Sequence, residues 1–158
     1  MAEYKKILQR AARLCSTSEK ATKEIRLKLI SWGLNEEEAE KAIRHLQKEQ
    51  FLDEDRYAGY FVKDKLKINK WGKVKIRHML RQKGIAESAI ENALSMINEE
   101  LYTEVLDQLL STKLKSLGDP SNLSEKARLF SFAAQRGFTM DEVHRSLDRI
   151  INSKDPDQ

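Results

Sequence analysis

The sequence predicts an all-α fold of three tandem three-helix repeats, and three observations carry that prediction. Glycine and proline number only 6 and 2 in 158 residues, while Leu, Lys, Glu, Ala and Ile dominate. That balance favours long helices over hairpins, which need frequent turn residues. Apolar residues recur at steps of three and four along most of the chain, the period of one helix face. Finally, Gly33, Gly84 and Gly137 stand 51 and 53 residues apart within a shared apolar frame.

In chain order, Tyr4 to Cys15 forms a first helix through Ile7, Leu8, Ala11, Ala12, Leu14 and Cys15, and Ser16 to Ser18 break it. Ser18, or a neighbouring hydroxyl, is expected to cap a second helix that carries Ile25, Leu29 and Ile30 and stops at Trp32-Gly33. Trp32 then covers that helix end. Asn35 caps a third helix, whose first-turn acids Glu36, Glu37 and Glu38 suit the positive end of the helix dipole and need no catalytic explanation. The second lap has Asp53 capping a helix through Ile68, then Lys73 to Gln82 closing at Gly84, then Glu87 to Asn98. In the third lap come Glu100 to Leu117, a break at Gly118-Asp119-Pro120, Ser124 to Gln135 closing at Gly137, and a helix capped by Thr139 that runs to Ile151.

The glycine frame tests the repeat. Eight residues before each glycine stand Ile25, Ile76 and Leu129, and one residue after stand Leu34, Ile85 and Phe138. Six, ten and thirteen after come Ala39, Ile90 and Val143; Ile43, Leu94 and Leu147; and Leu46, Ile97 and Ile150. Each glycine is expected in the left-handed conformation past a helix C-terminus, with the next apolar residue packing back on that helix. Repeats of about 50 residues bury too little to stand alone, so neighbours are expected to share apolar surface in an elongated, curved, solenoid-like array. The expected boundaries are 1–51, 52–99, 100–153 and a polar tail at 154–158. Ile25, Leu29, Ile76, Leu80, Leu94, Leu129 and Leu147 are the expected core.

Composition excludes several classes. Apolar residues at 40% and charged residues at 34% describe an ordered globular chain, without an apolar run long enough to span a membrane or an N-terminal leader pattern. The expected compartment is the cytoplasm. The lone Cys15 reads as a small buried hydrophobe. His45, His78 and His144 occupy different offsets in the repeat, with no acid or cysteine at ligand spacing, so neither a metal nor another cofactor is expected. No phosphate-binding glycine loop or nucleophile elbow occurs, which argues against an enzyme.

Charge singles out the middle repeat. From Lys63 to Lys83 nine cations face one acid, Asp64, a balance of +8 in a chain whose net charge is +4, so the remainder sums to −4. On the helix after Asp53, Ala58, Phe61, Val62 and Leu66 make the apolar stripe, and Arg56, Lys63, Lys67 and Lys70 a basic one. On the next helix Ile76, Met79 and Leu80 face inward, and Lys73, Arg77 and Arg81 recur every four residues, with Lys75 beside them. An ordinary charge run is a solvated face, but here the helices supply almost no acid at i,i+4, and crowded like charges invite an anionic partner. Nucleic acid and an acidic protein surface both fit. Tyr57 reads as a core aromatic or as an anchor, and Trp71, in the connector, is expected to be partly exposed.

The residues Asp53-Glu-Asp-Arg56-Tyr57-Ala58, Phe61-Val62, Trp71-Gly72, Ile76, Leu80 and Lys83-Gly84-Ile85 resemble the signature of the RecX regulatory protein family, and the flanking copies extend the resemblance from Tyr4 to about Asn152. Ser16 to Ala21 is a loose match to the family's usual helix start, and the stripe is rich in Lys rather than Arg. The resemblance implies a monomeric, non-enzymatic, cytoplasmic regulator that lies in the groove of the RecA filament on single-stranded DNA and inhibits its ATPase, strand-exchange and co-protease activities. It also implies DNA binding. The contact residues expected are Arg56, Tyr57, Lys63, Lys67, Lys70, Trp71, Lys73, Lys75, Arg77 and Arg81. Two alternatives stand beside it: a self-sufficient DNA-binding module contacting phosphates through the middle repeat, and a general helical scaffold.

Overall fold

A computed structural model of the chain describes residues 2–117 and 123–153. The expected break at Gly118-Asp119-Pro120 and the tail at 154–158 lie outside them. Among the described residues every regular element is helical: α1 (Ala2–Thr17), α2 (Thr22–Ser31), α3 (Glu36–Lys48), α4 (Glu54–Asp64) continued by a π-helical turn (Lys65–Asn69), α5 (Lys73–Gln82), α6 (Glu87–Ser95), α7 (Glu99–Leu117), α8 (Leu123–Gln135) and α9 (Met140–Ser153). They follow one another as tandem sets of three.

The three glycines close α2, α5 and α8 in one geometry. Gly33, Gly84 and Gly137 have φ of 115°, 78° and 94°. Behind each, the following N–H reaches five residues back: Leu34 to Leu29, Ile85 to Leu80 and Phe138 to Ala133, all at 3.1 Å. Each glycine N–H also donates three residues back, Gly33 to Ile30, Gly84 to Arg81 and Gly137 to Ala134, all at 3.0 Å, and this double closure satisfies carbonyls that a helix end would otherwise leave bare. It also folds Leu34, Ile85 and Phe138 back into the core. Fourteen of the fifteen ladder positions are buried, as are all seven residues expected in the core. Ile97 is the half-buried exception, because α6 stops at Ser95. Its expected end at Asn98 is corrected by Asn98 itself, whose Oδ1 accepts from the N–H groups of Glu100 and Leu101 and so starts α7.

Two further boundaries differ from expectation. α1 continues through Ser16 and Thr17 because their hydroxyls donate back to the carbonyls of Ala12 (3.0 Å) and Leu14 (2.7 Å) within the helix. The Ser18 hydroxyl is taken by the Lys20 ammonium, and α2 starts at Ala21 with no side-chain cap. After Asp64 the helix widens into the π turn, closing on Lys70 in the left-handed region at φ 56°.

The chain divides into two compact units, Met1–Phe61 with Met79–Ala93, and Val62–His78 with Leu94–Gln158. In the first, α2 packs on α1 and α3 around Ala11, Cys15, Ile25, Leu29, Ile43 and Leu46. Cys15 is buried as expected, and burial pushes its thiol up. In the second, α7 packs on α8, α9 and the π turn, around Leu106, Leu110, Leu129 and Val143. There Asp107 ties α7 to α9, accepting from the fully buried Ser146 hydroxyl and from two Arg149 nitrogens at 2.9 and 3.0 Å. Burying each large aliphatic side chain contributes roughly 1.5–3 kcal/mol.

Candidate partner-binding surface

The ten residues expected to contact a partner fall in both units. Arg56, Tyr57 and Arg81 belong to the first; Lys63, Lys67, Lys70, Trp71, Lys73, Lys75 and Arg77 belong to the second.

In the first unit, all three are already engaged. Arg56 donates to Glu19 at 2.6 Å and to the Gln50 carbonyl at 3.0 Å, while its backbone N–H is held by the Asp53 carboxylate that starts α4. It therefore clamps two turns of its own unit. Tyr57 is half-buried and stacked on Phe61 with ring centres 6.0 Å apart, and burial, then the Glu24 charge, raises its phenol pKa. Arg81 pairs with Glu87, both well exposed, and such a pair contributes little.

In the second unit, α4 and the π turn present Lys63 and Lys67 to solvent, and Lys70 follows in its left-handed position. Among the described residues no ion pair or side-chain hydrogen bond holds any of these three. Trp71 is half-buried and holds two cations over its rings, the Lys65 and Lys75 ammonium groups, 5.1 and 4.6 Å from the ring centres. Lys73 pairs with Glu99 at 2.7 Å and lies 4.6 Å over the Tyr102 ring. Arg77 is half-buried on α5. The acids that the window lacks are thus supplied from elsewhere in the chain: Glu99 for Lys73, Glu87 for Arg81 and, upstream, Glu19 for Arg56. Intrahelical spacing could not reveal them. Lys75 meets the Trp71 ring and the Gln135 carbonyl but no carboxylate, and Lys63, Lys67 and Lys70 are held by no such contact among the described residues.

The start of α5 fixes this connector. Three of its N-terminal N–H groups are satisfied from a distance: Gly72 by the Arg136 carbonyl (2.6 Å), Lys73 by the Tyr102 hydroxyl oxygen (3.0 Å) and Val74 by the Gly137 carbonyl (3.1 Å). A Cβ on Gly72 would collide with the Gly137 carbonyl, so only glycine permits this approach. Tyr102 is buried; burial pushes its phenol pKa up strongly, the Lys73 N–H pulls it back, and Glu142 adds to the rise. Tyr102 and Gly137 are positioning residues that lie 29 and 65 residues beyond Lys73 and Gly72; the repeat marked Gly137 as a helix stop, but nothing in the local pattern marked either as a partner of the α5 start.

Among the described residues no group of His, Cys, Asp or Glu is arranged to hold a metal ion, and no helix is long and apolar enough to cross a membrane. His144 instead packs on Phe130, with ring centres 4.8 Å apart.

Fold and surface together define a class: tandem three-helix proteins that carry a cationic segment in the middle set. Residues 8–46 match the family model for the first three-helix domain of RecX, and residues 53–94 the model for the second. The chain belongs to the RecX family. It is 31% identical to the regulatory protein RecX of Chlorobium phaeobacteroides over 149 residues, covering 94% of this chain and 96% of that one. It is 36% identical to that of Clostridium acetobutylicum over 137 residues, where it spans 63% of the relative's length and the match covers 84% of this chain. The crystal structure of RecX from Lactobacillus salivarius has the same fold, with a TM-score of 0.86 at 20% identity over 96% of this chain and 98% of that one.

Proposed function

We propose that the protein regulates a RecA recombinase by binding its filament on single-stranded DNA, lowering ATPase, strand-exchange and co-protease activity. It does so in the cytoplasm as a monomer, without catalysis or a cofactor, and the basic segment of the middle set is the contact surface. Family membership supports this reading, and the observation that carries it to residues is the row of unpaired Lys63, Lys67 and Lys70, the first two exposed and the third half-buried. Three uncompensated ammonium groups along one stretch favour an anionic partner and cost nothing to unpair when it arrives. Trp71 and Lys75 extend the surface, with Arg77 on the following turn.

The test is the ATPase rate of RecA on single-stranded DNA with and without the protein. Inhibition at micromolar protein is expected; its absence at micromolar excess overturns the proposal. Reversing Lys63 and Lys67 to Glu is expected to abolish inhibition with helicity unchanged by circular dichroism. Should inhibition survive that change, the contact lies elsewhere. The same unpaired lysines favour, second, direct phosphate binding without RecA. In that case affinity for duplex DNA alone falls by about 0.9 log unit per log unit of salt for each phosphate neutralised.

A further inference from the structure

α2 turns a pair of aliphatic side chains to solvent that its packing does not use. Leu27 is 62% and Ile30 40% exposed, and their i,i+3 spacing makes them neighbours on the helix surface, while Ile25 and Leu29 fill the core. The glycine frame shows that the fold does not ask for them. Six and three residues before their glycines, the second set has His78 and Arg81, and the third has Ser131 and Ala134. Single exposed aliphatic residues are ordinary, but an adjacent pair at positions that are polar or small in the sister sets marks a face that something covers.

The surroundings define what covers it. Leu27 lies in a shallow groove of about 470 Å³ with Ala21, Lys23, Glu24, Lys28 and Lys83, all within the first unit. The stem of Lys23 runs over Gly84 and its ammonium donates to the Gln82 carbonyl at 3.3 Å, which joins α2 to the end of α5. Lys28 and Lys83 are exposed, the Lys83 ammonium 6.0 Å from the Phe61 ring centre, and among the described residues no ion pair holds either. Three cations against the one carboxylate of Glu24 leave a positive rim around an aliphatic floor.

That combination selects among partners. Aliphatic side chains offer no ring on which an unpaired base can stack, so a nucleic acid would use the lysines and leave Leu27 and Ile30 bare. Two aliphatic residues on a ten-residue helix give too little apolar area to hold a membrane surface. A protein segment that alternates apolar residues with acids satisfies both halves at once, its aliphatic side chains covering Leu27 and Ile30 while its carboxylates meet Lys23, Lys28 and Lys83. We infer that this face of α2 docks a short acidic, leucine-bearing segment of a partner protein. It is a different surface from the basic row of the recombinase reading, which lies in the second unit, and it does not rest on that reading.

The test is fluorescence anisotropy of the full chain, without RecA or DNA, with a labelled octapeptide of glutamates carrying leucine at its third and sixth positions, and with a counterpart carrying serine at both. The leucine peptide is expected to bind about 10-fold more tightly than the serine peptide. Leu27→Ser is expected to weaken the leucine peptide about 10-fold and to leave the serine peptide unchanged. Lys28→Glu with Lys83→Glu is expected to weaken both peptides and to flatten the salt dependence. Lys63→Glu with Lys67→Glu is expected to bind the leucine peptide as the parent does. Every substituted side chain is exposed, and circular dichroism checks that each variant folds. Four results overturn the inference: no binding by the parent chain, equal affinity for the two peptides, parent-like binding by Leu27→Ser, or loss of binding in the Lys63 and Lys67 variant. A fifth is that Leu27→Ser weakens binding of oligothymidylate or of phosphatidylserine vesicles as much as that of the peptide, which would assign the face to nucleic acid or lipid. Because RecA is absent throughout, failure here leaves the ATPase result standing, and the reverse also holds.

Discussion

α2 and α5 occupy the same place in successive sets and end identically, yet they begin in opposite ways. Each closes on a left-handed glycine with the same pair of backward hydrogen bonds. At its start, α2 has Ala21, no side-chain cap, and one hydrogen bond from Ile25 to the Ala21 carbonyl at 3.2 Å. By contrast, α5 has three of its N–H groups held by Arg136, Tyr102 and Gly137. A helix end that a glycine dictates is local, and it repeats wherever the glycine repeats. A helix start that distant carbonyls complete belongs to one copy only. This second kind of start fixes the Lys70-Trp71-Gly72 connector in the unit that carries the cationic residues.

The largest expected effect comes from breaking that start directly. Gly72→Ala places a methyl against the Gly137 carbonyl and the Phe138 nitrogen, backbone atoms that cannot swing away, so the two chain segments must part. A loss of about 3 kcal/mol or more is expected, at the upper end of overpacking costs. Gly33→Ala is the matched control, because a Cβ there meets nothing within 4 Å and only its φ of 115° is unfavourable. That strain costs about 1–2 kcal/mol. Urea unfolding of the two variants reads the difference, and equal losses would show that the α5 junction is no tighter than the α2 end.

A smaller effect is expected from Tyr102→Phe, which keeps the ring in its buried site and leaves the Lys73 N–H without its acceptor, costing about 1–2 kcal/mol. The variant also changes the response to alkali. The folded chain holds the Tyr102 phenol protonated well above its ordinary range. Its contribution is therefore complete below about pH 10, where an unfolded tyrosine ionises, and is lost as pH rises further. Removing the hydroxyl should flatten stability between about pH 10 and 12, leaving a weaker decline from Tyr4 and Tyr57, whose phenols are also raised. A parallel pH profile for variant and parent would mean that Tyr102 is not the group responsible.

These contrasts explain what was readable in the sequence. The all-helical class, the glycine stops and the core ladder rest on period and on local hydrogen bonding, and both are written into consecutive residues. The ladder's one lapse, Ile97, came from a side chain that ended one helix by starting the next. The cationic surface was only partly readable. Counting charge in a window found Lys63, Lys67 and Lys70, but it could not see that Glu19, Glu87 and Glu99 return to neutralise Arg56, Arg81 and Lys73. Nor did it single out Phe132 and Arg136, four residues apart at the end of α8, or Lys113, which reaches the Phe132 ring only through packing of α7 on α8. The π turn after Asp64 carried no signal at all, since its residues suit an ordinary helix.

The smallest effect sharpens the comparison at the third helix of each set. Two residues past their glycines, Asn35 and Thr139 start α3 and α9 with reciprocal caps: Glu38 N–H donates to Asn35 at 2.8 Å, and Glu142 N–H to Thr139 at 3.1 Å, while each glutamate accepts the N–H of its cap residue. The middle set has Ala86 at that offset and buried Ala89 in place of the glutamate, so α6 starts with neither half of the pair. Asn35→Ala is expected to cost about 1 kcal/mol. Ala86→Asn is expected to gain about 0.5–1 kcal/mol, because Ala86 is exposed and the new side chain can reach the backbone while Ala89 stays in the core. Thermal unfolding of the single variants reads both shifts. Opposite signs would place the middle set's weakness at its α6 start, whereas a loss at Ala86 would mean that its backbone there is committed to a geometry no side-chain cap can join.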